Sequence, residues 1–127
     1  MKETRLSRQE FHVMEVLWGR QEASIREIQE SFFDKKRPAY TTVQTVVSRL
    51  EVKGAVVRSR KLGNFYMFAA AISRDLAQSR LIDDMMVMLG GKSQPLMAHL
   101  VRSGKLTLDD VQDAERMLKE MAKSKKK

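Results

Sequence analysis

The sequence contains no cysteine, two prolines, one tryptophan and two histidines. Without thiols there is neither a disulfide nor a thiolate metal site, and two distant histidines, His12 and His99, are too few to complete a zinc site. No apolar run approaches the ~18 residues of a membrane span, and the opening MKETRLSRQE lacks the apolar core of a signal peptide. The expectation is a cytoplasmic protein with no membrane insertion, no metal and no other cofactor. No Ser-His-Asp, paired-acid or metal-water constellation can be assembled, so an enzyme is not expected. The chain has 127 residues, of which 43% are hydrophobic and 31% charged, the balance of one folded domain or two small ones.

Carboxylates are scarce in one region. Residues 35 to 61 hold eight Lys or Arg against the single Glu51, a net +7, whereas residues 1 to 34 sum to −2. Inside this basic region lies AYTTVQTVVSRLEVKG (39 to 54), which reads as one helix with two unlike faces. At 100° per residue Val43, Val46, Val47 and Leu50 form a core-facing stripe. The opposite face carries Thr41, Thr42, Gln44, Thr45, Ser48 and Arg49, where a merely solvated helix would show Glu and Lys. Hydroxyls, an amide and a guanidinium are groups that reach base edges and phosphates in a major groove. Cations on both flanks, Lys35, Lys36 and Arg37 before and Arg58, Arg60 and Lys61 after, with Arg49 and Lys53 in the helix itself, are the footprint of polyanion binding.

The preceding segment supplies the context. Ser7-Arg-Gln-Glu10 is a capping box followed by Phe11, Met14, Leu17 and Trp18, predicting a helix to about Gly19. Ser24-Ile-Arg-Glu27 is a second box, opening a shorter helix that buries Ile25, Ile28 and Phe32. Gly54 suits a left-handed C-cap. After it, Ala55 to Arg60 and Phe65 to Ala70 are β-prone, and KLGN between them is a turn signal, so a hairpin is predicted. Two helices, a third with a polar face and a hairpin bearing Arg58, Arg60 and Lys61 is the order of a winged helix-turn-helix, its wing lying along the phosphate backbone.

The run LSRQEFHVMEVLW, then SIREI, AYTTVQTVVSRLEVKG, the YMF of the second strand and the GG at 90 to 91 resemble the penicillinase and methicillin-resistance repressor family. The resemblance covers nearly the whole chain. It implies a dimeric winged-helix repressor of transcription on a palindromic double-stranded operator, with Thr41, Thr42, Gln44, Thr45, Ser48 and Arg49 facing the bases. Gln44 stands where some relatives carry a basic residue, which leaves the operator sequence open. The family further implies a membrane-bound sensor with a zinc-protease domain as a partner that triggers cleavage in the region of His99-Leu100. Those two residues differ from the Asn-Phe pair of the best-known members, and the inducing signal stays open.

The remaining segment predicts three helices: one capped by Ser73, one opened by Ser93 and Pro95, and one capped by Thr107-Leu-Asp-Asp110. About 50 residues bury little apolar surface alone, so a two-fold partner is expected, with Leu81, Met85, Leu108, Val111, Leu118 and Met121 in the interface. GGKS at 90 to 93 is not a phosphate-binding loop, because the first glycine of that motif would fall on Met86; it reads as a helix stop. The methionines at 85, 86 and 88 read as packing rather than a soft copper site. The fold class is mainly α. Residues 1 to 72 form the winged helix, 73 to 122 the helical dimerisation region and 123 to 127 a basic disordered tail. A winged helix that docks a protein through the same face is the competing reading, but Thr41, Thr42, Thr45 and Ser48 offer no apolar anchor.

Overall fold

A computed structural model describes residues 5–125, and the order of elements is α1 (Arg8–Arg20), β1 (Ala23–Ser24), α2 (Ile25–Glu30), a 3₁₀ turn (Asp34–Lys36), α3 (Tyr40–Val52), β2 (Val56–Leu62), β3 (Phe65–Ala70), α4 (Arg74–Met88), α5 (Gln94–Arg102) and α6 (Leu108–Lys125). Both capping boxes close as their spacing requires. The Ser7 hydroxyl accepts from the Glu10 amide while the Glu10 carboxylate accepts from the Ser7 amide, and Ser24 and Glu27 repeat the arrangement. Ser24 serves twice. An N-cap residue has extended backbone, and Ala23–Ser24 uses that extension to pair antiparallel with β3 in a three-stranded sheet of order β1-β3-β2. The hairpin alone is visible in the sequence pattern; this third strand, two residues long, is not.

The chain divides into two compact units, one ending at Asp84 and one beginning at Met85. That division falls within α4, whereas residue 72, the expected break, lies just before that helix. In the first unit Val13, Met14 and Leu17 of α1, Ile28 of α2 and Val43, Val46, Val47 and Leu50 of α3 are buried together with Ala55 and, in the sheet, Val56 and Phe68. Every member of the predicted α3 stripe is therefore core. Helix α3 is closed just past its C-cap Lys53 by Gly54, whose φ of 79° lets the amide of Ala55 reach back to the Leu50 carbonyl at 2.9 Å. Trp18 donates its indole N–H to the Ile72 carbonyl at 2.9 Å, tying α1 to the exit of the wing, and Ala77 of α4 is buried in the same unit.

A buried ion pair links α1 to the end of α3. Glu10 is only 3% exposed, and its Oε1 receives the Lys53 ammonium at 2.7 Å, which also donates to the Arg5 carbonyl. Burial opposes the charge on Glu10, but the bonds from Lys53 and Ser7 outweigh it and hold the carboxyl below the ordinary glutamate range. Lys53, counted in the basic cluster of the sequence, is thus turned inward.

In the second unit, Thr107 and Asp110 cap α6 reciprocally. Gly90 and Gly91, both left-handed, close α4, as the helix-stop reading requires. Ser93 differs from expectation: its backbone is already helical and its hydroxyl makes no cap bond, so Pro95 alone marks the start of α5. Helix α6 also runs further than expected. Lys123 and Lys125 form its last turn, where cations suit the carbonyl end of the helix dipole, so the tail is helical as far as Lys125. Lys126 and Lys127 lie outside the described residues.

Candidate nucleic-acid interface

The exposed residues of α3 are those that the amphipathic reading left over: Thr41, Thr42, Gln44, Thr45, Ser48 and Arg49 are all at the surface. The hydroxyl of Thr45 donates to the Thr41 carbonyl at 3.0 Å, so this side chain offers outward its methyl group and an acceptor rather than a free donor. Gln44 and Ser48 go further. Together with Tyr40 and Glu51 of α3, Gln29 of α2, and Arg58, Asn64 and Tyr66 of the hairpin they line an open groove of about 810 Å³. Thr41, Thr42, Thr45 and Arg49 lie on α3 outside that groove.

The wing wall of the groove has an irregular ladder. Strand β2 runs to Leu62, two residues past its expected end, and the turn contracts to Gly63-Asn64 between the paired Leu62 and Phe65. Gly63 has φ 62°, the conformation required of the first residue in a type II′ hairpin turn. Arg58 is opposite Phe68 and Arg60 opposite Met67, which leaves Ser59 as the extra residue of a β-bulge. The Arg58 guanidinium sits 4.4 Å from the Tyr66 ring centroid and 3.1 Å from Glu51. Lys61 stands over the same ring at 5.6 Å. Arg60 is occupied elsewhere: it pairs with Glu22, its Nη2 at 2.5 Å and its Nε at 2.8 Å from Oε1, while the Ser59 hydroxyl donates to Oε2 at 2.8 Å. Those bonds, from Arg60 first and then Ser59, hold the Glu22 carboxyl below its ordinary range.

The α3 set and the hairpin cations therefore meet unevenly. Arg58 shares the groove with Gln44 and Ser48, Lys61 flanks its aromatic wall, and Arg60 is engaged by a carboxylate. Tyr40, Glu51, Asn64, Tyr66 and Glu22 are absent from the sequence-predicted set. FYMF reads as core strand, and nothing in a linear pattern separates the outward Tyr66 from the buried Met67 and Phe68.

Before α3, Arg37 donates to the Glu30 and Phe32 carbonyls and pairs with Asp34 at 3.2 Å, and Gln29 donates to the Pro38 carbonyl. These bonds pin the basic loop. Lys35 and Lys36 in it are exposed. The expected interface residues are exposed in the single chain: Leu81 and Met85 on α4, and Leu108, Val111, Leu118 and Met121 on α6, with Leu108 at 73% and Leu118 at 67%. Among the described residues no helix is long and apolar enough to cross a membrane.

Comparison with known proteins places these features in a family context. A family model described as penicillinase repressor matches residues 6–120. The chain is 23% identical over 123 residues to the penicillinase repressor of Staphylococcus aureus, covering 96% of this chain and 97% of that one. It is 31% identical over 123 residues to the transcriptional regulator BlaI of Mycobacterium tuberculosis, covering 94% and 87%. Among solved structures it is similar to the DNA-binding domain of the repressor BlaI, with a TM-score of 0.50 and 27% identity over 58% of this chain and 90% of that domain.

Proposed function

The chain belongs to the penicillinase repressor family, and on that premise we propose that it is a sequence-specific DNA-binding repressor of transcription that acts in the cytoplasm as a homodimer on a two-fold symmetric operator. The observation that carries this reading is the shared groove: the polar face of α3 and the cationic, aromatic wall of the hairpin open onto one space. In this reading α3 enters the major groove, with Thr41, Thr42, Gln44, Thr45 and Ser48 against base edges and Arg49 at the rim against phosphate. Lys61, beside Tyr66, and Lys35 and Lys36 of the basic loop take the flanking backbone, while Arg58 stays paired with Glu51 in the groove wall.

Dimerisation is proposed from the second unit, where among the described residues no apolar side chain is fully buried. Val111, Ala114, Leu118 and Met121 fall on one side of α6 and would be covered by a second copy. Two α3 helices then read half-sites about one helical turn apart. A membrane-bound sensor protease is the proposed releasing partner. His99 and Leu100 lie within α5, so cleavage there requires that helix to open locally. Selection of bound sequences from a random duplex pool tests the reading. Recovery of an inverted repeat is expected, and recovery of no common sequence would refute a sequence-specific repressor.

A further inference from the structure

We propose that Glu22 is a positioning residue for the wing: it grips the bulge of β2 from across the sheet and so sets which cations face the groove beside α3. The inference rests on the DNA-binding reading above. The sheet order puts β3 between β1 and β2, yet Glu22, immediately before β1, is bonded to two consecutive residues of β2. Those residues are the extra residue of the bulge, Ser59, and the one after it, Arg60. The carboxylate therefore bridges over the central strand to the register shift of the β2–β3 ladder.

The bulge decides what the wing presents. In an uninterrupted strand, residues three apart point to opposite faces. The extra Ser59 resets the alternation, so Arg58 and Lys61 both stand over Tyr66 while Arg60 turns to the other face and meets Glu22. A ladder that lost the bulge would slip by one residue and turn Lys61 away from Tyr66. The backbone around Glu22 shows that its place is held. Gln21, just before it, has φ 74°, a conformation that non-glycine residues rarely adopt, and its amide is tied to the Leu17 carbonyl at 2.9 Å.

The sign of one substitution separates positioning from plain electrostatics. A carboxylate near bound DNA repels phosphates, so Glu22→Gln should tighten binding if Glu22 does nothing else. If it positions the wing, Glu22→Gln weakens binding. The test uses the full chain and a mixed-sequence duplex of about 30 base pairs at low salt, long enough for two half-sites. Because a dimer carries two copies of the exposed pair, we expect Kd to rise about five- to tenfold. The exchanged pair Glu22→Arg with Arg60→Glu should bind more tightly than Arg60→Gln, since it rebuilds the bridge. Amide hydrogen exchange across residues 58–62 should accelerate in Glu22→Gln. Equal or tighter binding by Glu22→Gln, an exchanged pair no better than Arg60→Gln, or unchanged protection of β2 would each overturn the proposal. A wild-type chain that holds no duplex would instead overturn the DNA-binding reading, and the exchange measurement would still decide whether Glu22 holds the bulge.

Discussion

The ionic-strength dependence of DNA binding follows from which cations the fold leaves unpaired. Of the eight Lys and Arg between residues 35 and 61, Arg37 is paired with Asp34, Lys53 with Glu10, Arg58 with Glu51 and Arg60 with Glu22. Among the described residues that leaves Lys35, Lys36, Arg49 and Lys61 without a carboxylate partner. If each neutralises one phosphate, a dimer neutralises about eight, and log K falls against log[salt] with a slope near −7, because each contact contributes roughly −0.9. Raising salt from about 50 to 200 mM should then cost roughly 10⁴ in affinity. Fluorescence anisotropy of a labelled duplex over that range measures it. Were all eight cations on the backbone, the slope would be roughly −14. A slope close to that value would refute the claim that the internal pairs survive on DNA, and one shallower than about −2 would remove the basic region from the backbone altogether. Lys61→Gln should flatten the slope by about 2, one contact per protomer, whereas Lys53→Met, directed inward, should leave it unchanged.

Lys53→Met should instead destabilise the fold by about 3–5 kcal/mol, since it strands the buried Glu10 carboxylate, and a thermal melt should fall by roughly 10 °C or more. The carboxyl of Glu10 is held below the ordinary glutamate range, so the stabilisation it supplies is fully present above that range and is lost as pH falls through its lower folded value; the gap between wild type and Lys53→Met in denaturant titrations should therefore close in acid. A gap that persists undiminished at low pH would contradict the pairing. Thr45→Ala should cost on the order of 1–3 kcal/mol in operator binding and relax preference at one base, read by gel shift on single-base variants. Arg49→Ala should weaken all sequences alike, and if both variants bind as wild type does, α3 is not the reading helix. Leu118→Asp places a charge in the proposed interface and should give a monomer by analytical ultracentrifugation, with operator affinity down by roughly 10²–10⁴ as the second half-site ceases to be intramolecular. A chain cut after residue 88, which keeps the buried Ala77 and the Arg5–Asp84 pair, should be a folded monomer with the same loss, and finding it dimeric would move the interface out of the second unit.

What was legible in the sequence is what depends on near neighbours. The Ser7/Glu10, Ser24/Glu27 and Thr107/Asp110 caps need residues three apart, and the Val43-Val46-Val47-Leu50 stripe needs only the helical period; all four are present in the fold. The left-handed Gly54 and the hairpin belong to the same class. Strand β1 was hidden because two residues carry no periodicity and because Ser24 already had a reason to be extended. The end of α6 was hidden for the opposite reason: a Lys-rich run reads as a solvated tail, although lysines are good helix formers and nothing between Met121 and Lys125 breaks a helix.

The interface shows the limit most clearly. In the sequence, Arg37, Lys53, Arg58, Arg60 and Lys61 are equivalent members of a +7 cluster. The fates of all but Lys61 are decided by carboxylates that are not all close by: Glu10 lies 43 residues from Lys53, and Glu22 38 residues from Arg60. One bulge at Ser59 then reverses the alternation that would have assigned Arg58 and Lys61 to opposite faces. Net charge is additive along the chain, whereas the capacity to grip a phosphate is not, because a cation already bonded to a carboxylate must give up that partner first. The internal pairs therefore subtract from the electrostatic footprint by an amount that only the tertiary fold determines, and each glutamate that does so also fixes a segment of the surface around α3 and the hairpin: Glu10 the end of α3, Glu51 the wall between α3 and β2, Glu22 the bulge of the wing.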